Sequence, residues 1–270
     1  MTKRTLLIDG DVLAYQKAAS VEKAINWNAD EDDAGENDVW TVSADLDRAR
    51  YEVDRWIAHW TDELEADQIA IALTDDANFR KELLPSYKSN RKNSRKPVIL
   101  RQVREYLVTQ YGARIKPGLE GDDVLGILAT NPKLYPGEKI IVSIDKDMKT
   151  IPGLLVNTGN DEGIVRVSEA QADYWHLFQT LTGDQTDGYS GCPGVGPKKA
   201  AELLDVGGMS LYANREHQLR ALWEAIVAAY EKRGLTEHEA LVQARVARIL
   251  RHSDFDYKAK RPILWTPPKP

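Results

Sequence analysis

The sequence predicts an α/β fold in which a mainly parallel sheet is flanked by helices and followed by a helical C-terminal region. Three short apolar segments, residues 6–8, 69–73 and 139–144, are suited to buried parallel strands, and an Asp follows each within two residues. Helical patterns separate these segments, and no further strand pattern occurs beyond about residue 178. Ligands of parallel sheets bind beyond the carboxyl ends of the strands, which is where these Asp residues fall.

The helices of the α/β part follow from amphipathic patterns at residues 44–64, 99–111 and 124–129. In the first pattern, Val53 and Ile57 lie on one side. Asp122 and Asp123 precede the third and are expected to cap its N-terminus. The C-terminal helices are expected at residues 200–204, 216–233 and 236–251. The tail after residue 261 is expected to be extended and to pack through Trp265.

The composition is that of an ordinary soluble globular protein of 270 residues. No signal peptide or membrane-spanning segment is evident, so a cytosolic protein is expected. The single cysteine, Cys192, excludes an intramolecular disulfide and a Cys-based zinc site. It is expected to make an ordinary apolar contact. Residues 26–40 are strongly acidic and are expected to form a solvated loop without chemistry of its own.

The distribution of charge matters more than the formal net charge of −6. Residues 88–104 contain seven cations and no acid: Lys88, Arg91, Lys92, Arg95, Lys96, Arg101 and Arg104. Such a cluster is suited to an anionic partner, although charge runs usually form solvated surfaces.

Carboxylates cluster at the predicted ends of elements in five segments. The clusters are Asp9 with Asp11, Asp75 with Asp76, Glu120 with Asp122 and Asp123, Asp145 with Asp147, and Asp184 with Asp187. Crowded like charges are costly unless cations lie among them, and oxygen ligands without His or Cys select hard cations. We therefore expect two or more Mg²⁺ or Mn²⁺ ions, which in pairs hydrolyse phosphodiesters.

A glycine-rich hairpin follows the last acidic pair. Gly191, Gly194 and Gly196 permit backbone angles closed to other residues, and a helix that begins at Pro197 would direct free N–H groups at a phosphate. Lys198 and Lys199 add positive charge at the same place. The alternative is an ordinary turn in which Asp184 and Asp187 are turn or cap residues.

Taken together, these motifs resemble the 5′ nuclease family of 5′-to-3′ exonucleases and flap endonucleases, most closely the free-standing phage enzymes. The resemblance covers nearly the whole chain. It rests on residues 7–10, Phe79-Arg80, residues 85–91, Glu120-Gly121-Asp122-Asp123, Asp145-Lys146-Asp147, residues 183–187 and the hairpin 191–200.

The resemblance implies a PIN-like catalytic domain over residues 1–178, with a helical arch at about 76–118. It implies a helical region over residues 179–270 that carries a helix-three-turn-helix, or helix-hairpin-helix, motif. The metal-binding acids implied by the resemblance are Asp9, Asp75, Glu120, Asp122, Asp123, Asp145, Asp147, Asp184 and Asp187. Asp75 is preferred to Asp76 because the gap before Phe79-Arg80 is usually longer in the family, and Asp11 is expected to act indirectly.

The resemblance also assigns the cations and the DNA contacts. Lys88, Arg91 and Arg80 are expected to act on the scissile phosphate, and Tyr87 and Tyr15 to stack on a nucleotide. The DNA-binding set adds Lys92, Gly191, Gly194, Gly196, Lys198 and Lys199. Similar hairpins bind potassium through backbone carbonyls. Gly188 and Ser190 replace the usual Asn and Pro of the family, which leaves the local turn geometry open.

The function expected from these residues is metal-dependent 5′-to-3′ hydrolysis of DNA, with cleavage of branched structures. The expected partners are double-stranded DNA with 5′ ends, flaps or nicks, and no membrane; the protein is expected to be a monomer in the cytoplasm, of a bacterial host if phage-encoded. Two alternatives stay open: RNase H-like removal of RNA primers from RNA-DNA hybrids, and a catalytically weak structure-specific DNA-binding protein.

Overall fold

The computed structural model describes residues 3–27, 40–205 and 214–268. At residues 92 and 93 it describes the backbone but not the side chains. Most of the predicted acidic loop, and the side chain of Lys92, therefore lie outside the described part of the chain. The first half contains β1 (Arg4–Asp9), α1 (Gly10–Ser20), β2 (Glu22–Asn26), β3 (Trp40–Ala44), α2 (Leu46–Glu63), β4 (Gln68–Leu73), α3 (Arg80–Leu83), α4 (Leu100–Tyr111), β5 (Arg114–Ile115) and α5 (Gly121–Thr130).

The described residues of the second half form three more strands of the central sheet, four helices and a short terminal ribbon. These elements are β6 (Glu138–Ser143), β7 (Gly153–Asn157), β8 (Ile164–Val167), α6 (Glu169–Thr182), α7 (Pro197–Leu204), α8 (Arg215–Glu231), α9 (Glu237–Ala247), β9 (Phe255–Asp256) and β10 (Arg261–Pro262). Short 3₁₀ turns occupy Ser89–Asn93, Lys146–Thr150 and His252–Asp254.

The central sheet has the strand order β5-β4-β1-β6-β7-β8, and all neighbouring strands are parallel except β7 and β8. Leu7 of β1 pairs with Ala70 of β4 and with Ile141 of β6. The three predicted strands are therefore confirmed, and they form the middle of the sheet. Because their carboxyl ends meet at one edge, Asp9 and the residues after Ser143 come together there.

Helices cover both faces of the sheet. Leu6 and Ile8 point to one side, where they pack with α1, α2 and α4, whereas Leu7 points to the other side and packs with α5. α4 buries Val103 and Leu107 in the first of these cores, so this part of the predicted arch belongs to the body of the domain. A third core joins α6 to α9 and includes Trp265 and Cys192, as expected.

Several details differ from the sequence prediction. α5 begins at Gly121 with Glu120 as its N-cap, whereas Asp122 and Asp123 lie in its first turn. Residues on either side of the acidic segment form an antiparallel ribbon, β2–β3, and the C-terminal region contains a second ribbon, β9–β10. The last helix ends at Ala247, because the side chains of Arg80 and Asp123 bind the backbone that follows it. No helix in the described ranges is long and apolar enough to cross a membrane.

Candidate active site

A polar cleft of about 250 Å³ lies at the carboxyl edge of the sheet, beside the start of α5. Six of the acids predicted to bind metal line it, together with Asp11 and three cations. The acids are Asp9, Asp122, Asp145, Asp147, Asp184 and Asp187, and the cations are Lys88, Arg91 and Lys146. The structure thus brings together carboxylates from four separate segments of the chain.

The first group of acids in the cleft comprises Asp9, Asp122 and Asp145. Asp9 ends β1 and accepts hydrogen bonds from the Val12 N–H at 3.1 Å and the Ser143 hydroxyl at 2.8 Å. Burial raises the pKa of Asp9, and the charge of Asp145 adds to the increase. Burial raises the pKa of Asp122 well above its usual value, and Asp9 and Asp145 add to it. The three carboxylates are therefore close enough to repel one another.

The second group comprises Asp147, Asp184 and Asp187. Burial raises the pKa of Asp147 to about 7, and the charges of Asp145, Asp184 and Asp187 contribute. Asp184 accepts from the N–H groups of Thr186 at 2.7 Å and Asp187 at 3.2 Å, so it also shapes the turn. Although burial acts in the opposite direction, these hydrogen bonds and Lys146 lower the pKa of Asp184.

Lys88, Tyr87 and Glu120 form a network at the wall of the cleft. The Lys88 ammonium contacts the Glu120 carboxylate and lies 3.5 Å from Asp187, while Arg91 pairs with Asp187. Burial alone would raise the pKa of Glu120, but the charges of Arg80 and Lys88 lower it to about 2. Lys88 and Arg91 thus lie where the sequence prediction requires cations.

Tyr87 does not have the role expected of it. Its side chain is buried, its ring stacks on Tyr189, and its hydroxyl donates to Glu120 at 2.8 Å and lies 3.0 Å from Asp187. A ring that is buried in protein contacts cannot stack on a nucleotide. Tyr15, by contrast, is half exposed.

The expectations for Arg80 and Asp123 are corrected by their burial. Arg80 is 2% exposed and Asp123 is fully buried. Their guanidinium and carboxylate groups form two parallel hydrogen bonds of 2.7 and 2.8 Å. The Asp123 oxygens also accept from the N–H groups of Glu120 and Leu250. Because these bonds occupy both oxygens, Asp123 has none to offer a metal, and Arg80 cannot reach a substrate.

Asp75 and Asp76 lie outside the cleft. Asp75 accepts from the Gly118 N–H at 2.8 Å and so fixes a loop. Asp76 is exposed and lines a separate groove beside α4. The structure therefore places neither residue among the acids that line the cleft. Asp11, expected to act indirectly, lines the cleft, pairs with Arg104 and accepts from the Thr74 N–H at 2.7 Å.

The turn that carries Asp187 packs directly against the segment that carries Lys88. The Lys88 N–H donates to the Asp187 carbonyl at 2.7 Å. Gly188 has a φ of 73°, and a Cβ there would approach the Ser86 carbonyl to 2.9 Å. A glycine at this position, in place of the family's Asn, therefore permits the close contact.

The glycine-rich hairpin precedes α7, and its residues are not among those that line the cleft. Its helix begins at Pro197 with Gly196 as N-cap, as predicted, and Lys198 and Lys199 are exposed. Gly194 and Gly196 are also exposed, with open space where a Cβ would stand. Gly191 differs from the expectation: it is buried, and a Cβ there would meet the Gly183 nitrogen at 2.3 Å, so it packs against protein.

The donor set of the cleft suits a hard divalent cation. Within the ranges that the structure describes, no three acidic, His or Cys side chains converge tightly enough to hold a metal ion as they stand. Instead, Lys88, Arg91 and Lys146 pair with Glu120, Asp187 and Asp184. Burial and the neighbouring carboxylates raise the pKa values of Asp122 and Asp147, and a divalent cation with oxygen ligands would offset this repulsion.

Two cations beside the cleft were not assigned from the sequence. Lys146 lies between two predicted ligands in Asp145-Lys146-Asp147 and contacts Asp184 at 3.4 Å. Arg104 ends the basic segment and donates to the Thr74 carbonyl at 2.6 Å. In the sequence, the only sign of a role for Lys146 and Arg104 was their position next to recognised motifs. Their partners, Asp184 and Asp11, become evident only in the fold.

Known proteins provide an independent comparison. Residues 4–169 match the family model described as 5'-3' exonuclease, N-terminal resolvase-like domain. Over 98% of its length the chain is 36% identical to an exodeoxyribonuclease of Enterobacteria phage T3, of which it covers 93%. Over 98% of its length it is also 35% identical to an exonuclease of Escherichia phage T7, of which it covers 94%.

The fold is also similar to a solved structure, a flap endonuclease of bacteriophage T5 in complex with DNA and metal ions. The TM-score is 0.55 at 13% sequence identity, and the similarity covers 91% of this chain and 93% of that one. The fold class predicted from the sequence is thus confirmed. The chain belongs to the family of 5′-3′ exonucleases.

Proposed function

We propose that the protein is a divalent-metal-dependent nuclease that hydrolyses DNA from 5′ ends and cuts branched DNA at 5′ flaps. The observation that carries the proposal is the cleft, where six carboxylates from four segments lie with Lys88 and Arg91. The names of the phage T3 and T7 relatives support exonuclease activity. The T5 structure, which contains DNA and metal ions, supports a flap substrate and a metal requirement.

The two groups of acids define two places for divalent ions. Asp9, Asp122 and Asp145, with Glu120 beside them, would hold one ion, and Asp147, Asp184 and Asp187 would hold a second. A pair of such ions supplies a nucleophile from water at neutral pH and stabilises the charge that develops at the leaving oxygen. Mg²⁺ and Mn²⁺ both suit all-oxygen sites, and we propose them as the native cofactors.

Lys88 and Arg91 bind and orient the phosphate that is cut. Both cations pair with acids of the cleft, so a phosphate placed at its mouth lies within reach of their side chains. An arginine fork can bind two phosphate oxygens at once, whereas a lysine acts as a point charge. The arch expected at residues 76–118 would carry these cations over the substrate.

The hairpin binds the duplex through its backbone phosphates. The N-terminus of α7 offers N–H groups and positive charge without groups that read bases, at the exposed residues Gly194, Gly196, Lys198 and Lys199.

Potassium binding at the hairpin stays a prediction. The Pro193 carbonyl already accepts from Arg233, so an ion would need the other carbonyls. Potassium should then strengthen duplex binding more than an equal concentration of tetraethylammonium.

Polarity and substrate are tested together by one assay. Duplex, 5′-flap and RNA-DNA hybrid substrates, each labelled at either the 5′ or the 3′ end, are incubated with the protein and Mg²⁺. We expect short products from the 5′-labelled end of duplex and flap DNA, and none when EDTA replaces Mg²⁺. Degradation from 3′ ends would contradict the proposal. Exclusive cleavage of the hybrid would favour RNase H-like removal of primers, and binding without cleavage would favour a DNA-binding protein.

We place this activity in the cytoplasm of a bacterial host, because the T3 and T7 relatives are phage proteins.

A further inference from the structure

A chain of polar contacts connects the hairpin to the wall of the acid cleft. It begins at Gly191, the buried first residue of the hairpin, whose N–H donates to the Gln243 side chain at 2.9 Å. Gln243 lies in the last two turns of α9. Gln243, Arg80 and Asp123 do not line the cleft, so metal binding does not explain the contacts that they make.

The contacts continue from the end of α9 into the catalytic domain. Arg80 donates to the carbonyls of Val246 at 2.8 Å and Arg248 at 2.6 Å. Its guanidinium also holds Asp123, which accepts from the Leu250 N–H at 3.0 Å. One buried ion pair therefore fixes three backbone groups at the end of α9 and in the segment that follows it.

Glu120 ends the chain of contacts. Asp123 accepts from the Glu120 N–H at 3.1 Å, and Arg80 lies 3.2 Å from the Glu120 carboxylate. Glu120 in turn contacts Lys88. The same ion pair thus sets the first turn of α5, which carries Asp122, and the position of the Lys88 ammonium.

We propose that Gln243, Arg80 and Asp123 are positioning residues that hold the duplex-binding hairpin in a fixed orientation to Glu120, Lys88 and the start of α5, and thereby select which phosphodiester is cut. This inference rests on the proposed function. Duplex held at the hairpin can place only one phosphate at the cleft if the connection is rigid. A looser connection presents several phosphates, each less well aligned, and misplacement by about 1 Å can cost as much as ~100-fold in rate.

Gln243 is the residue at which this proposal can be tested without disturbing the buried ion pair. Gln243→Met keeps the length of the side chain but lacks an acceptor for the Gly191 N–H, whereas Gln243→Glu keeps an acceptor. Gln110→Met is the matched control, because it makes the same chemical change at an exposed position near the end of another helix, α4.

Cleavage of a 5′-labelled flap under single-turnover conditions with Mg²⁺ gives both the rate and the position of the cut, and binding is measured with Ca²⁺ in place of Mg²⁺. For Gln243→Met we expect cuts at several neighbouring phosphodiesters, a rate reduced ~10-fold, and a Kd changed less than ~3-fold. Gln243→Glu and Gln110→Met should cut where the wild type does. A Gln243→Met variant with wild-type positions and rate overturns the proposal, and so does equal loss in the Met and Glu variants of Gln243.

Amide hydrogen exchange, without DNA or metal, provides a second readout. If the contacts act as one connection, Gln243→Met should increase exchange at Gly191 and also at Glu120 and Leu250, whose N–H groups bind Asp123. Faster exchange at Gly191 alone contradicts the coupling. A wild-type protein that cuts no substrate would contradict the proposed function, while the exchange result would still decide whether the connection exists.

Discussion

Lys88 enters the cleft from a left-handed backbone conformation, with a φ of 53°. This conformation is uncommon for residues other than glycine, and it persists here because the Lys88 N–H binds the Asp187 carbonyl while the ammonium contacts Glu120. The position is therefore defined by the fold, which distinguishes Lys88 from cations that only contribute to a positive field.

We expect Lys88→Ala to reduce single-turnover cleavage by ~100-fold or more with a Kd changed only a few-fold, because its charge acts mainly in the transition state. Lys92→Ala is expected to show the opposite pattern, with weaker binding and an unchanged rate at saturation. Lys96→Ala is an additional control, since Lys96 is exposed in the same basic segment. If the Lys88 and Lys96 variants behave alike, Lys88 only adds to the positive electrostatic field of the basic segment.

His176 gives a prediction about stability that does not involve the cleft. Its ring is fully buried against Trp265 and hydrogen-bonds to the Ala244 carbonyl at 2.8 Å. Burial, with the nearby charge of Arg248, lowers the pKa of His176 to about 3. The folded protein therefore keeps this ring neutral at pH values where the unfolded chain takes up a proton.

The free energy of unfolding should decrease as the pH falls below about 6.5, by at most ~1.4 kcal/mol per pH unit from this residue, because the unfolded state binds one more proton. The contribution is fully present above the unfolded-state pKa and is lost progressively toward the folded-state value of about 3. Urea unfolding at a series of pH values from neutral to mildly acidic measures it. The slope should be smaller for His176→Gln, and identical slopes in the two proteins would contradict the assignment.

Residue types alone could not separate the acids that line the cleft from those that stabilise the fold. Asp122 and Asp123 are adjacent in the sequence, yet Asp122 lines the cleft and Asp123 binds Arg80. The difference depends on which side of α5 faces the C-terminal segment. Likewise, Lys88 and Arg91 line the cleft, whereas the burial of Tyr87 depends on its contact with Tyr189, far away in the chain.

At the scale of elements, the predictions that depended on apolar patterns were accurate. β1, β4 and β6 are central strands buried on both faces, so each appears as a continuous apolar segment. β2 and β3 were missed because neither strand has a buried side chain and neither contains a continuous apolar segment. The N-cap of α5 was misplaced because three acids near its start all suit a first turn.

The hairpin before α7 has a testable role in DNA binding. Lys198 and Lys199 are exposed beside the free N–H groups of α7, where they can neutralise phosphates but reach no base. Replacing both with Ala should weaken binding to all duplex sequences alike and reduce the dependence of log K on log salt by about one to two units, since each phosphate contact contributes ~1.

Binding isotherms at several salt concentrations, with two unrelated duplex sequences, measure this slope. Lys133→Ala with Lys258→Ala, which removes the same charge from exposed positions elsewhere in the chain, serves as the control. A loss of affinity confined to one sequence, or an unchanged salt slope, would contradict a role in phosphate binding.

At the scale of the whole molecule, the α/β part of the chain and the C-terminal helices both contribute to the cleft. The end of β1, the turn after β6, the start of α5 and the turn after α6 all contribute acids to the cleft. The last of these belongs to the region that also carries the hairpin. Correct placement of Asp184 and Asp187 therefore requires both parts of the chain, which agrees with the phage relatives' similarity over 98% of its length.

The central claim is that the cleft acids hold the divalent ions that drive hydrolysis. Single-turnover cleavage of a 5′-labelled flap by the wild type, Asp122→Asn and Asp145→Asn, with and without Mg²⁺, tests it most directly. We expect no cleavage without metal, and a rate lower by at least ~1000-fold in each variant, because each change misplaces an ion. DNA affinity should be retained or increased, since a negative charge is removed. Full activity in excess EDTA, or near-normal rates in both variants, would contradict the claim.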